Sequence, residues 1–422
     1  MHPPMSRSLA LAFCAALGLG ELLARTGVAV PELATLDTQI PSLMARDGIP
    51  GAAVALVKDG RLVFARGYGV ANTQSGELVQ PDSLFRVGSI SKTITAVTLL
   101  HLWEQGQINL DAKAYAEILA DLQPPPGSRE DSRLKDVTVR QLLHHTGGHG
   151  RDTGTDPLYT ELAMKAADAF HVPKPPGYET IVRYARALPL DFDPGTRYSY
   201  SNFGFTVLAR VVEHAAGQPY ESYVRQNILL PMGITRMALG QTLPENRLPG
   251  EVTYYDPRGP WRISIFPEIR HLMPAPYAQF QVEAGDGSGR WVASAIDLAR
   301  FVSRVSGLRA PAFLQPETFA LLLERPNPFV SQDNSGNSWY GMGAAVGVLN
   351  GGLYWGHDGS YPGSYAGYLA LPNGFVYAFG MNTAPSTNST TVADFENILI
   401  AIGNHQQNWP AQDLFPQYYP EP

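Results

Sequence analysis

Three short stretches hold residue types that could do covalent chemistry. In "VGSISK", Ser89 and Lys92 stand three apart, a spacing that puts both on one face if the stretch is helical. A serine hydroxyl attacks well only when a base takes its proton. A partly desolvated lysine can be that base, because burial disfavours its charged form, and a helix N-terminus favours negative charge nearby. In "TRYSYSNFGF", Tyr200-Ser201-Asn202 is the single Tyr-x-Asn of the chain. A tyrosinate beside a lysine can take a serine proton, and an Asn amide can orient the lysine and hold a substrate carbonyl. In "WGHDGSYPG", His357-Asp358-Gly359 would bring a polar side chain and a glycine beside the site, if it lies on a strand facing the helix end. Glycine there lets a substrate backbone lie close. The N–H of Ser360, with that of Ser89, would form an oxyanion hole.

Taken singly, these patterns are cheap. Ser132-Arg133-Leu134-Lys135 repeats the first spacing in a polar stretch, and His145-Thr146-Gly147 repeats the shape of the third. Ser89 also reads as a helix cap. Tyr200 and Asn202 also read as a turn before a helix. His144, His145 and His149 in "HHTGGHG" suggest a metal site only superficially, since no acidic partner stands at a fitting spacing.

The surrounding elements are legible. Apolar residues recur at helical spacing from Pro31 to Arg46. "GAAVALVKDGRLVFARGYGVAN" reads as two strands around Asp59-Gly60. The Ser89 segment runs as a helix toward Gly106, "VTVRQLLHHTGG" is a short capped helix, and 151–176 is loop-rich. "NFGFTVLARVVEHAAGQ" is an amphipathic helix stopped at Gly217, "YESYVRQNILLPMGI" another, and "SAIDLARFVSRV" a helix capped by Ser294. Leu243 to Gly289 is irregular and aromatic-bearing, either lining a cleft or packing a surface loop. After Tyr340, short β-like runs separated by Gly and Pro read as antiparallel strands, and "VADFENILIAIG" closes the domain. Strands at both ends and helices between them predict an α/β (α+β) fold: an antiparallel sheet flanked by helices, with a mostly helical inserted domain. The expected layout is residues 31–405 as one domain, with 31–115 and 286–405 forming the sheet part and 116–285 the insertion. The Pro-rich tail 406–422 either docks or is disordered.

The chain has 422 residues, 44% hydrophobic and 16% charged, with a net charge of −7, which describes a soluble globular protein and gives no case for nucleic acid. One cysteine, Cys14, excludes an internal disulfide. Residues 1–27, with Arg7 before an apolar run too short to span a bilayer, resemble a secretory signal, so the expected location is secreted or periplasmic. No Gly-x-Ser-x-Gly elbow, Walker or dinucleotide motif is present.

Order then matters. Ser-x-x-Lys, Tyr-x-Asn and a late His-x-Gly, in that sequence, resemble the serine β-lactamase and penicillin-binding-protein superfamily. The Tyr form is similar to class C β-lactamases, D-alanyl-D-alanine carboxypeptidases, D-aminopeptidases and family VIII esterases. "IPGAAVALVKDGRLVFARGYGVAN", "PGTRYSYSNFGFTVLARVVEHAAGQPYESYV" and "WVASAIDLARF" look like segments of that family, and the resemblance covers about Leu36 to Gly403. It implies Ser89 as the acylated nucleophile, Lys92 and Tyr200 sharing the proton work, and Asn202 positioning Lys92 and the acyl group. His357, Asp358, Gly359 and Ser360 would form the substrate and oxyanion wall, and no metal or cofactor is needed. His357 takes the place of a lysine found in many relatives. Asp358 stands where they carry Thr or Ser, so it would repel a substrate carboxylate. The expected activity is hydrolysis of an ester or amide of a small molecule, most like a carboxylesterase. The alternatives are a D-amino-acid peptidase, a weak β-lactamase, or a non-catalytic binding protein retaining the fold.

Overall fold

The computed structural model describes residues 24–153, 156–158, 160–257, 259, 261–269, 271–326, 336–385 and 390–419. In chain order, β1 (Arg25–Thr26) precedes helix α1 (Leu36–Asp47), which ends on Gly48 in the left-handed region at φ 67°. β2 (Gly51–Lys58) and β3 (Arg61–Asn72) form the expected hairpin. Its turn holds Asp59 and Gly60 at φ 49° and 76°, the backbone that Asp-Gly tolerates and most residues resist. β4 (Glu77–Leu78) and β5 (Phe85–Arg86) lead into a 3-10 turn, Gly88–Ile90, and then helix α2 (Ser91–Glu104).

The middle of the chain is mostly helical. α3 (Val139–Leu143) starts in a full capping box between Thr138 and Gln141. α4 (Thr160–Phe170) and α5 (Tyr178–Ala185) follow. α4 corrects the loop expected over 151–176: its inner face is built from Ala163, Ala166 and Ala167, too small to give a strong apolar stripe in the sequence. α6 (Asn202–Ala216) is capped by Ser201 and ends on Gly217 at φ 62°. Residues 220–232 form a further run of helical turns. β6 (Ala238–Leu239) and the hairpin of β7 (Trp261–Ile263) and β8 (Leu272–Pro274) come next. The short helix α7 (Asp286–Gly289), β9 (Trp291–Ala293) and helix α8 (Ala295–Val305), capped by Ser294 with Asp297, return the chain to the sheet. β10 (Ser338–Tyr340), β11 (Ala345–Leu349), β12 (Gly352–Tyr361), β13 (Ser364–Ala370), β14 (Phe375–Met381) and helix α9 (Thr391–His405) complete it.

The main sheet runs in the order β1-β3-β2-β14-β13-β12-β11-β10, antiparallel throughout. β2 joins the N-terminal hairpin to the C-terminal meander, so the two ends of the chain share one sheet. Both its faces are buried. Ala53, Ala55 and Val57 belong to the core packed by α2, α6 and α8, whereas Ala52, Val54 and Leu56 face α1 and α9. This period of two matters for the site, because it also sorts the residues of β12.

Both ends of the described chain are tied in. Residues 25–26, which the expected leader of 1–27 includes, form the sheet edge, and Arg66 donates to the Gly27 carbonyl at 2.6 Å. The remainder of that leader, residues 1–23 with Arg7 and Cys14, lies outside the described residues. The tail docks. Leu414 and Phe415 are buried, Asp413 pairs with Arg309 at 2.8 Å, and the Tyr419 hydroxyl donates to Asp297 at 2.5 Å.

One buried ion pair fixes α7 against α6. Arg210 meets Asp286, and its guanidinium lies 3.5 Å from the Tyr178 ring centre. Removing one partner of such a pair strands the other charge without water. Arg210→Ala is therefore expected to cost about 3–5 kcal/mol, read as a lowered midpoint in urea unfolding. An unchanged midpoint would show that the pair holds nothing together.

Candidate active site

The site is built where the start of α2, the start of α6, α7 and the edge of β12 meet. Ser89 sits inside the 3-10 turn before α2, and no side chain caps that helix. The helix-cap reading of Ser89 is therefore not what the structure shows. Its Oγ lies 3.0 Å from Lys92 Nζ, as the three-residue spacing predicts.

Lys92 is fully buried. Its Nζ is 2.8 Å from Asn202 Oδ1 and 2.7 Å from the Ser288 carbonyl oxygen. Both of these atoms can only accept. A neutral amine places its two N–H groups there and keeps its lone pair for the Ser89 hydroxyl. Burial makes the neutral state accessible, pushing the lysine down from its ordinary value to about 7; Asp156 pulls it back up and Arg151 lowers it further.

Tyr200 packs under this amine, with Nζ 4.8 Å from its ring centre. His145 at 4.3 Å and Tyr340 at 6.1 Å bound the same ring, and the Arg151 guanidinium lies 4.7 Å away on it. Burial raises the phenol far above its ordinary value, and a hydrogen bond with Ser89 only partly offsets this. Of the two roles open to Tyr200, this favours the neutral proton donor over the tyrosinate, since burial penalises the anion. Asn202 opens α6, where Ser201 Oγ accepts from Gly204 N at 3.0 Å.

β12 supplies the opposite wall. Beyond Gly356 its outer edge no longer pairs with β11, and this free edge runs along the Gly88–Ile90 turn. The fit leaves no room for side chains. A Cβ on Gly359 would strike the Val87 carbonyl oxygen and lie 2.6 Å from Ser89 N, and one on Gly88, at φ 51°, would lie 2.7 Å from Ser360 N. The backbones of Ser89 and Ser360 are therefore neighbours, as an oxyanion hole requires.

His357 is buried beside the site. Its Nδ1 lies 2.6 Å from the Asp358 carbonyl oxygen and its Nε2 2.9 Å from the Tyr340 hydroxyl. A carbonyl can only accept, so Nδ1 donates and Nε2 accepts from Tyr340. Burial first, and Lys92 after it, push the imidazole down to about 4, so the ring is uncharged at neutral pH. Asp358 does not join this wall. The alternation that points His357 and Gly359 toward α2 sends Asp358 to the other face of the sheet, where it is exposed and accepts from the Tyr365 hydroxyl at 2.9 Å. It lies near Glu396 of α9, whose carboxyl is raised to about 7 by burial and by Asp358. The expected repulsion of a substrate carboxylate by Asp358 is thus corrected, because strand pleating removes it from the cleft.

The aromatic segment divides. Tyr254 and Tyr277 are buried packing residues, with Tyr254 accepting from Arg86 N at 2.8 Å. Phe280 instead borders a cleft of about 370 Å³ with Asp256, Arg262, Ser360, Tyr361 and Pro362. Sequence reasoning missed Ser288 and Tyr340. The signal for Ser288 was "GDGSG", whose glycines permit close approach: a Cβ on Gly287 would strike the Phe205 carbonyl oxygen. The histidines of "HHTGGHG" do not converge. His144 meets Glu324 at 3.3 Å, and His145 Nδ1 accepts from Ser201 N at 3.1 Å. No group of three or more metal-binding side chains occurs among the described residues.

With that geometry in view, the comparisons with known proteins agree. The model of the beta-lactamase family matches residues 36–400. Esterase EstB of Burkholderia gladioli is 30% identical over 75% of this chain and 80% of its own length. Penicillin-binding protein 4 of Amycolatopsis lactamdurans is 26% identical, over 81% and 83%. The crystal structure of D-amino acid amidase from Ochrobactrum anthropi SV3, complexed with L-phenylalanine amide, superposes with a TM-score of 0.66 at 19% identity, covering 88% of this chain and 100% of that one. The chain belongs to the beta-lactamase family, and it is a serine hydrolase of that fold. No helix among the described residues is long and apolar enough to cross a membrane.

The buried histidines set an acid limit on stability. His145 lies well below its ordinary 6.5, while His149 and His357 lie at about 4, each chiefly through burial. A group depressed on folding contributes its full stability above the unfolded value and loses it as pH falls toward the folded value. Asp156, Glu213, Asp286 and Glu396, raised chiefly by burial, act in the opposite sense, but Asp111, Asp131, Asp152 and Asp394, held below their ordinary values by arginine partners, act in the same sense as the histidines. The melting temperature is expected to fall as pH drops from 6.5 toward 4. A flat profile across that range would contradict the burial of these rings.

Proposed function

We propose that the chain hydrolyses neutral carboxylic esters of small molecules through an acyl-enzyme on Ser89. The observation that carries this is Lys92: buried, neutral near pH 7, with both N–H groups held by Asn202 Oδ1 and the Ser288 carbonyl and its lone pair left for Ser89 Oγ. Lys92 takes the hydroxyl proton as Oγ attacks the acyl carbon. The N–H groups of Ser89 and Ser360 receive the oxyanion. Neutral Tyr200 hands its proton to the leaving alkoxide and is re-protonated from Lys92. Water then enters, and the same groups release the acid. Asn202 Nδ2, which has no protein partner among the described residues, is the donor offered to the acyl carbonyl.

The ester preference rests on β12. His357 is uncharged and its Nε2 is occupied by Tyr340, so this strand offers no cation to a substrate carboxylate. The similarity to Esterase EstB supports the same reading. We also propose that residues 116–285 form an insertion in the sheet domain, and that the chain is exported with its leader removed before Ala24, which keeps β1 in the sheet.

A fluorophosphonate probe is expected to label Ser89 in the folded protein, located by mass mapping, and Ser89→Ala to lower p-nitrophenyl acetate turnover by about 10⁴-fold or more. Turnover of this ester should exceed that of nitrocefin and of a D-alanyl anilide. A faster anilide reaction would favour the peptidase reading, and an unlabelled Ser89 would remove the hydrolase mechanism altogether. Because only neutral Lys92 accepts the proton, kcat/KM for the ester is also expected to rise with pH through an inflection near 7. An inflection near 10 would show an amine at its ordinary value and so exclude a Lys92 that is neutral at pH 7.

A further inference from the structure

Asp156 is a second buried charge beside the site, absent from every pattern the sequence offered. It is 0% exposed. Its Oδ1 accepts from Leu158 N at 3.1 Å, and its Oδ2 accepts from Asn202 N at 3.1 Å and Phe203 N at 3.4 Å. The carboxylate thus sits on the N-terminus of α6, where N–H groups point outward and the helix dipole favours an anion. None of these three partners is a cation. The residue it grips is Asn202, whose side chain holds Lys92.

We propose that Asp156 is a positioning residue for the hydrolytic reaction, clamping Asn202 beneath Lys92 and supplying the negative charge that Lys92 meets when it takes the proton of Ser89. The proposal rests on the reading of Lys92 as the base. In the resting site the lysine is neutral, and burial raises the Asp156 carboxyl while the N–H groups of Leu158, Asn202 and Phe203 favour its charged form. Proton transfer from Oγ to Nζ creates a buried ammonium, and Asp156 is the fully buried anion closest to it in effect. Asp156 is the largest influence raising the basicity of Lys92, against burial and Arg151, with Asp358 across the sheet a weaker one. His145 and His357, which also face the amine, are pushed toward their neutral forms, and Tyr200 toward its protonated form. The acid range of the reaction therefore depends on Asp156.

The test is the pH dependence of fluorophosphonate labelling at Ser89, with p-nitrophenyl acetate hydrolysis alongside. Asp156→Asn removes the charge at nearly constant volume. The acid limb is expected to move to lower pH by about one unit, since a less stabilised ammonium titrates lower. The labelling rate on the plateau should fall about tenfold. Ser201→Ala loosens the same helix end without touching a charge, so it should lower the melting temperature and leave the limb in place. If Asp156→Asn melts lower but keeps the wild-type limb, Asp156 is only a cap and the proposal is overturned. Infrared difference spectra across the limb follow the carboxyls directly. Burial raises Asp286, Glu213 and Glu396 as well, so the band that counts is one that Asp156→Asn removes. No such protonated-carboxyl band is expected, and finding one would mean that Asp156 is neutral while Lys92 titrates. Failure of the wild type to label at any pH would instead defeat the function proposed above.

Discussion

The structure turns on one fully buried amine. Lys92 Nζ has three polar neighbours, the Ser89 hydroxyl, the Asn202 amide oxygen and the Ser288 carbonyl, each from a different part of the chain. A buried lysine is costly when charged. The site does not remove that cost. It uses it to keep the amine basic but unprotonated near neutral pH, and it uses two pure acceptors to aim what remains. Every larger element can be described by what it does for these three contacts. α2 brings serine and lysine onto one face, α6 presents Asn202, and the Arg210–Asp286 pair holds α7 so that the Ser288 carbonyl reaches the amine.

The sheet adds a second constraint. Because both faces of β2 and its neighbours are buried, the register of the meander cannot slip by one residue without exchanging core for core on opposite sides. That register also decides which part of His-Asp-Gly meets the nucleophile. His357 and Gly359 share the α2 face, while Asp358 goes to the α9 face with Tyr365 and near Glu396. A charge adjacent in sequence to the site is thus a feature of the back of the sheet.

Much of this was legible before any coordinates. The Asp-Gly hairpin, the capped helices at Thr138 and Ser294, and the late antiparallel strands follow from local chemistry that needs no tertiary context. The spacing of Ser89 and Lys92 likewise fixes their contact. What escaped the sequence depends on long-range placement. Ser288 contributes a backbone carbonyl, which any residue possesses, so only its flanking glycines hinted at it. Asp156 and Tyr340 act through burial, which only the assembled fold creates. α4 was hidden because alanines carry little apolar contrast. The charge of Tyr200 was not legible either, since it depends on burial and on the walls formed by His145 and Tyr340.

The seam between the Gly88–Ile90 turn and β12 closes on backbone atoms alone, with no space for even a methyl group at Gly88 or Gly359. Reactivity and selectivity are therefore carried by separate parts of the molecule. The reactive seam has no side chain through which it could be adjusted gradually. The rim made by Arg262, Phe280 and Tyr361 is built of side chains that can be exchanged one at a time. Such an architecture permits a change of substrate by altering the rim while the reaction itself is left intact.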